Sequence, residues 1–218
     1  MSADTRIQAT LHEVLADGVF LAVRLFQGDP VLEACRAAAR GGLRLLEVTL
    51  TTPGALDVIE ALAKDGNAIV GAGTVLTTAD AARVADAGAR FAMSPVLDPD
   101  VVDAIHARGL LAVPGGGTAT EILAAHRTGA RLVKVFPAQA LGGPEFLRKI
   151  RGPLPDIPLV PTSGPSAANA ADYFAAGAVA IGLGSEVFAP GFTIESVESA
   201  ARRVRVAVDA ARAARRAE

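Results

Sequence analysis

The sequence predicts a closed (β/α)8 barrel, with residues 1–218 forming a single domain. Three observations predict it. A short apolar run recurs at intervals of about 20 to 27 residues, the length of one strand-plus-helix unit. Most of these runs are apolar throughout instead of alternating, as expected for parallel strands buried on both faces. The segments between them carry helical periodicity. The clearest copies of the unit are GGLRLLEVTL, AGARFAMSPV, TGARLVKVFPA and AGAVAIGLGS.

The elements follow in order. Ile7, Leu11 and Val14 or Leu15 predict a short amphipathic N-terminal helix that covers the barrel bottom. Eight strands are predicted at 19–25, 44–49, 68–73, 90–94, 111–114, 132–136, 158–161 and 179–182. After the fourth strand, the acidic turn Asp98–Asp100 starts a helix carrying Val101 and Ile105. After the fifth, Thr118 with Glu121 three residues on forms a capping-box pattern. Gly41, Gly88, Gly109, Gly129 and Gly177 fall where helices stop. Val197, Ala201, Val204 and Val208 form the buried stripe of a last helix. The arginines at 202, 203, 205, 212, 215 and 216 read as its solvated face and a frayed tail. The competing fold is a doubly wound open sheet. It is disfavoured because the first turn reads RLFQGDP without GxGxxG, and GAGTVL at 71–76 lacks the third glycine.

Composition narrows the function. Hydrophobic residues make up 51% and charged residues 20%, which supports a large core. A net charge of -2, no Trp and one Tyr argue against a nucleic-acid partner. No apolar stretch approaches the roughly 20 residues of a membrane helix, and the N-terminus lacks a signal-peptide pattern. Cys35 is the single cysteine, in a helical stretch, and reads as a small buried residue of a protein in a reducing, cytoplasmic compartment.

In such a barrel, chemistry sits at the C-terminal ends of the strands. Two charged residues stand inside apolar strands. Lys134 lies in LVKVFP, where desolvation favours the neutral amine that attack on a carbonyl requires. Glu47 lies in LLEVTL on strand two, opposite strand six in a closed barrel, so both can point into one pocket. That pair suits Schiff-base chemistry with an acid–base carboxylate. The plainer alternative is a buried ion pair without chemistry. PTSGPS at 161–166 and GLGS at 182–185 follow strands seven and eight, where barrels commonly bind phosphate through backbone N–H groups. They also read as ordinary tight turns. His12, His106 and His126 fall in predicted helices, and no His/Asp/Glu cluster has metal-ligand spacing, so no metal or cofactor is expected.

Seven segments in order carry a resemblance: LLEVTLTTPGAL, IVGAGTVL, FAMSPVLDP, VPGGGTATEIL, VKVFPAQALGG, VPTSGPSAAN and AIGLGS. Together they resemble the 2-keto-3-deoxy-6-phosphogluconate (KDPG) aldolase family. That family includes 4-hydroxy-2-oxoglutarate aldolases and 2-dehydro-3-deoxy-6-phosphogalactonate aldolases. The resemblance implies a class I aldolase, usually a homotrimer, that splits a 2-keto-3-deoxy sugar acid phosphate into pyruvate and glyceraldehyde 3-phosphate. It implies Lys134 as the Schiff-base lysine and Glu47 as the acid–base glutamate. Thr74, Pro95 and Phe136 match residues around pyruvate, Thr162 a substrate-contacting threonine, and Gly164 and Ser185 parts of the phosphate site, to which Ser163 and Gly184 are adjacent.

Three departures bear on the substrate. Thr51 stands where gluconate-type members usually have an Arg for the substrate carboxylate, and Arg24 at the end of strand one is the candidate replacement. Ser163 replaces a glycine of the phosphate loop, and strand one ends in VRLFQGDP instead of a short LRG-type turn. GLGSE at 182–186 is similar to phosphogalactonate-type loops. Three rivals remain: a 4-hydroxy-2-oxoglutarate or broad pyruvate aldolase, a phosphosugar isomerase or epimerase, and a catalytically silent paralogue on the same barrel.

Overall fold

A computed structural model describes residues 2–217, with side chains up to 215 at the C-terminal end. The chain alternates β1 (Val19–Val23), α2 (Val31–Arg40), β2 (Leu45–Thr49), α3 (Ala55–Asp65), β3 (Ile69–Gly73), α4 (Thr78–Asp86), β4 (Phe91–Met93) and α5 (Pro99–Ala107). It continues through β5 (Leu111–Val113), β6 (Gly115–Gly116), α6 (Ala119–Arg127), β7 (Val133–Val135), α7 (Gly143–Arg151), β8 (Leu159–Pro161), α8 (Ala170–Ala175), β9 (Ile181–Leu183) and α9 (Ile194–Ala217). Helix α1 (Ala3–Asp17) precedes the first strand. Every pairing is parallel, in the order β5-β4-β3-β2-β1-β9 and β6-β7-β8.

The two sheets are parts of one barrel. β5 lies within the predicted fifth strand, 111–114, and β6 extends the same stave past Pro114, which has no N–H to give to a ladder. The Pro114 carbonyl still accepts from the Lys134 N–H at 2.9 Å. On the other side, the bridge Thr162↔Gly182 joins the end of β8 to β9. Eight staves result, as the sequence predicts. The strands themselves are shorter than predicted at several ends, and the last is shifted from 179–182 to Ile181–Leu183.

Alternation sorts the strand residues into two layers. Phe20, Leu45, Ile69, Phe91, Leu111 and Val160 belong to the barrel interior, where Phe20 and Phe91 meet edge to face at 5.1 Å. Ile7 and Val14 of α1 join that same cluster, so the N-terminal helix closes the bottom. Leu21, Leu46, Val48, Val70 and Ala72 face outward under the helices. Full burial of such Leu or Val side chains contributes about 1.5–3 kcal/mol each.

Caps fix the helix ends. Asp98 accepts the N–H of Asp100 at 3.0 Å and Val101 at 3.4 Å, and Pro99 occupies the first turn of α5. Thr118 accepts the Glu121 N–H at 3.2 Å, while the Glu121 carboxylate takes the Gly117 N–H at 2.9 Å. Gly88, Gly109, Gly129 and Gly177 adopt positive φ after their helices. Gly41 does not. It sits against α9, where a Cβ would lie 2.5 Å from the Glu198 carbonyl, and Gly42 takes the left-handed position instead.

The last helix departs from expectation. Val197, Ala201, Val204 and Val208 are buried as predicted. Arg205, however, pairs with Asp17 at 3.0 Å, Arg212 donates to the carbonyls of Leu15, Ala16 and Asp17, and Arg215 donates to the Ala178 carbonyl. Arg205 and Arg212 are half-buried and not a solvated face, while Arg202, Arg203 and Arg215 are exposed as expected. Arg205, Arg212 and Arg215 supply donors to the open C-terminal carbonyls of α1 and to the turn before β9. The Arg216 side chain lies outside the described residues. Among the described residues, no helix is long and apolar enough to cross a membrane.

Candidate active site

Position 47 falls on the inward parity of β2, with Leu45, and position 134 on the inward parity of β7, with Leu132 below it. Both charged groups therefore point into the barrel near its C-terminal end. Lys134 is 7% exposed and Glu47 1%, and Lys134 Nζ donates to Glu47 Oε1 at 3.1 Å across the barrel. The Phe136 ring, two residues on and just past the end of β7, lies 5.6 Å from Nζ and shields the amine on one side. The structure thus brings the two predicted residues together from opposite walls.

The carboxylate has room because of its neighbour. Gly73 ends β3, and a Cβ there would run into Oε1 of Glu47, with Cδ and Cγ each 2.8 Å away. The sequence shows this glycine in GAGTVL but not its purpose. The signal was register: Glu47 pairs with Gly71 and Thr49 with Gly73, leaving β3 without side chains beside the acid.

The other predicted residues ring the mouth. Thr74, half-buried, follows β3 with φ 60. Pro95 follows β4, and its carbonyl packs on Gly115, where a Cβ would clash. Thr162 is 5% exposed; its hydroxyl donates to the Val135 carbonyl at 3.4 Å and its methyl packs on Gly182. Thr51 is exposed and its hydroxyl is 3.0 Å from that of Thr49. Arg24 is exposed and lines an open cleft of about 330 Å³ with Phe26, Phe188, Ala189 and Phe192. Among the described residues no hydrogen bond joins Arg24 to Thr51.

The two anion-loop candidates are side by side after β8 and β9. Ser163 adopts φ 62 and Gly164 φ 146. Below them sits the buried Tyr173 hydroxyl, pushed up from the ordinary phenol value by burial and 3.5 Å from Gln139 Oε1. Asn169 and Tyr173, which shape this turn, were not singled out from the sequence. They lie outside the strand ends, in and just before α8.

Other titratable groups fall away from the site. His12, His106 and His126 are in α1, α5 and α6. Cys35 is fully buried in α2, and burial pushes its thiol up to about 12, which leaves it inert. Among the described residues no group of three His, Cys, Asp or Glu is placed to hold a metal ion.

A buried amine paired with a carboxylate at the mouth of a parallel barrel can form an imine with a keto acid and move protons beside it. The family comparison bears directly on that chemistry. The sequence model of the KDPG and KHG aldolase family matches residues 12–201. This chain belongs to the KDPG and KHG aldolase family. Among its relatives, the 2-dehydro-3-deoxy-phosphogluconate aldolase of Pseudoalteromonas atlantica is 43% identical over 63% of this chain and 65% of its own length. A probable 2-dehydro-3-deoxy-6-phosphogalactonate aldolase of Rhizobium meliloti is 40% identical over 78% of this chain and 81% of its own. The crystal structure of the KDPG aldolase of Legionella pneumophila, with pyruvate captured as a covalent carbinolamine, superposes with a TM-score of 0.76 and 27% identity. That match covers 96% of this chain and 98% of the other. In this chain a strand lysine and a strand glutamate are in contact, and Thr51 and Ser163 follow β2 and β8.

Proposed function

We propose that this chain is a class I aldolase that cleaves a 2-keto-3-deoxy-6-phospho sugar acid to pyruvate and glyceraldehyde 3-phosphate. The observation that carries the reading is the Lys134–Glu47 contact of 3.1 Å inside the barrel mouth. Glu47 takes a proton from the ammonium, and the free Nζ of Lys134 attacks the C2 ketone. Glu47 then returns a proton to the carbinolamine oxygen, which leaves as water. The resulting iminium draws the C3–C4 bonding pair onto carbon 3 as an enamine. Glu47, directly or through water, accepts the C4 hydroxyl proton as the aldehyde departs. The enamine is protonated at C3, and water hydrolyses the imine to pyruvate and free Lys134.

Phe136, Thr74, Pro95 and Thr162 surround the keto acid, and the turns at 163–164 and 184–185 take the phosphate through backbone N–H groups. No cofactor takes part in this scheme. Cys35 as a buried free thiol fits a reducing compartment, and we place the enzyme in the cytoplasm. We also propose a homotrimer; a solution mass near three times 22.1 kDa supports it and a monomer mass refutes it.

The test is chemical. Incubation with pyruvate and borohydride should add one reduced pyruvyl group, mapped to Lys134. An isomerase, an epimerase or a silent paralogue gains none, and an adduct on Lys64 or Lys149 refutes the assignment. A 4-hydroxy-2-oxoglutarate or broad pyruvate aldolase also gains the adduct, but cleaves unphosphorylated substrates as efficiently as phosphorylated ones.

A further inference from the structure

A carboxylate stands next to the proposed phosphate turn, where a free negative charge would repel the substrate. Glu186 follows Gly184 and Ser185 directly. It is half-buried, and its Oε1 accepts the Ala167 N–H at 2.9 Å. Ala167 belongs to the other turn, the one after β8. A second tie joins the same two segments lower down, the bridge Thr162↔Gly182. Ser163 and Gly164 on one segment, and Gly184 and Ser185 on the other, therefore lie between two cross-links. Fixing both ends fixes the width between the segments.

The N–H inventory of the turn agrees. Pro165 has none to offer. The Ser166 N–H is taken by Asn169 Oδ1 at 2.8 Å, while Asn169 Nδ2 holds the Gly164 carbonyl at 3.1 Å. Ala167 is taken by Glu186. Among the described residues the N–H groups of Ser163, Gly164 and Ser185 make no hydrogen bond within the chain. The side chains thus absorb the donors at the far end of the turn and leave those between the ties. A carboxylate is suited to such a tie because a charge-assisted N–H bond is about twice as strong as a neutral one.

We propose that Glu186 is a positioning residue: it sets the width of the phosphate cradle by clamping the turn after β9 to the turn after β8. It touches no reacting atom. The inference rests on the reading that these turns bind the substrate phosphate.

Two variants test it, Glu186→Ala, which removes the acceptor, and Glu186→Gln, whose amide oxygen can still accept. Two rates are compared: cleavage of the phosphorylated keto acid, and exchange of the C3 protons of pyruvate with deuterium, which needs the imine but no phosphate. Glu186→Ala should raise KM for the phosphorylated substrate about tenfold, the scale of one hydrogen bond to a charged group. Its loss in exchange rate should be at least several-fold smaller, and Glu186→Gln should recover most of the KM. An unchanged KM, a lowered KM, equal losses in both reactions, or a Gln variant no better than Ala would each overturn the proposal. Protection against thermal unfolding by inorganic phosphate supplies a readout independent of turnover. It should be weaker in both variants than in wild type, and weakest in Glu186→Ala; equal protection in all three overturns the clamp. If the wild type fails to exchange pyruvate protons, the aldolase reading fails, and the phosphate titration still decides the role of Glu186.

Discussion

Gly73 and Glu47 share one space: the carboxylate of Glu47 occupies the volume that a side chain at position 73 would need. A methyl group there must displace either the acid or strand β3, and the barrel interior offers no slack. Gly73→Ala should therefore cost about 1–3 kcal/mol of stability, the usual penalty for overpacking. It should also slow cleavage by about a hundredfold, because a displacement of the order of 1 Å at a reacting group has that effect. Thermal unfolding and kcat check the two parts. A variant with wild-type kcat would mean that the position of the carboxylate is not critical.

Glu47→Gln should slow turnover by about 10²–10⁴-fold, the range for losing general acid–base help. The amide oxygen leaves Lys134 an acceptor at the same place, so the fold survives. Steady-state kinetics on the intact variant provide the check, and wild-type turnover would reduce Glu47 to a structural partner of Lys134.

The parts of this site that were legible in the sequence are those where a residue contradicts its surroundings. Lys134 and Glu47 are charges in apolar strands, and such residues stand out because burial is costly. The barrel was legible because both-face burial gives apolar runs at a fixed repeat. The role of Gly73 was not, since it depends on register between neighbouring strands. Arg205 and Arg212 of α9 were misassigned for a similar reason, whereas Arg202 and Arg203 are exposed as expected. A helical wheel gives the apolar stripe of α9, but the C-terminal carbonyls of α1 that attract Arg205 and Arg212 come from nearly two hundred residues away. The break at Pro114 was visible as a proline, yet only the pairing of β6 with β7 explains why the stave continues beyond it.

Ser163→Gly should stabilise the protein. A non-glycine residue at φ 62 costs about 1–2 kcal/mol, while glycine adds about 0.4–1 kcal/mol of unfolded-chain entropy to be lost. The difference is about 0–1.6 kcal/mol in favour of glycine, with a midpoint of about 0.8 kcal/mol. Denaturant unfolding measures it. A destabilised variant would show that the Ser163 hydroxyl makes a compensating contact.

At the barrel bottom, Glu13 pairs with Arg90 at 2.6 Å, and the Arg90 hydrogen bond holds its carboxyl below the ordinary value. A carboxyl whose folded pKa is depressed contributes stability above its unfolded pKa and loses it as pH falls through the folded value. The pair is partly exposed, so its contribution is about 0.2–1 kcal/mol. Glu13→Gln should be slightly less stable than wild type at pH 7, and the gap should close as pH falls below about 4. Melting curves across pH decide it; a gap constant down to acid pH would exclude the ion pair as its cause.

Arg24 raises the question of which anion it serves. Strand β1 lies between β2 and β9, so a residue just beyond it has neighbours on both sides. Register places it level with Thr49 on the β2 flank, one residue beyond Val23↔Val48, while on the other flank β9 ends at Leu183 and the chain turns at 184–188. Arg24 lies one residue beyond the end of β1 and is exposed. The cleft it lines is walled by Phe188, Ala189 and Phe192, on the β9 side. That position favours the distal phosphate over the pyruvate carboxylate that Thr51 leaves without an arginine. Arg24→Ala should therefore raise KM for phosphorylated substrates by about 10- to 100-fold, equivalent to a hydrogen bond to a charged group of about 1.5–3 kcal/mol. Pyruvate affinity, read from the concentration dependence of borohydride trapping, should fall far less. If Arg24 instead replaces the missing carboxylate partner, pyruvate affinity itself should drop by about 2–5 kcal/mol, the scale for truncating a buried charge partner. Thr51→Arg separates the two in the opposite direction. With the carboxylate otherwise held only by backbone N–H groups and Thr74, an added guanidinium should tighten pyruvate binding; with Arg24 already in place, it should add nothing.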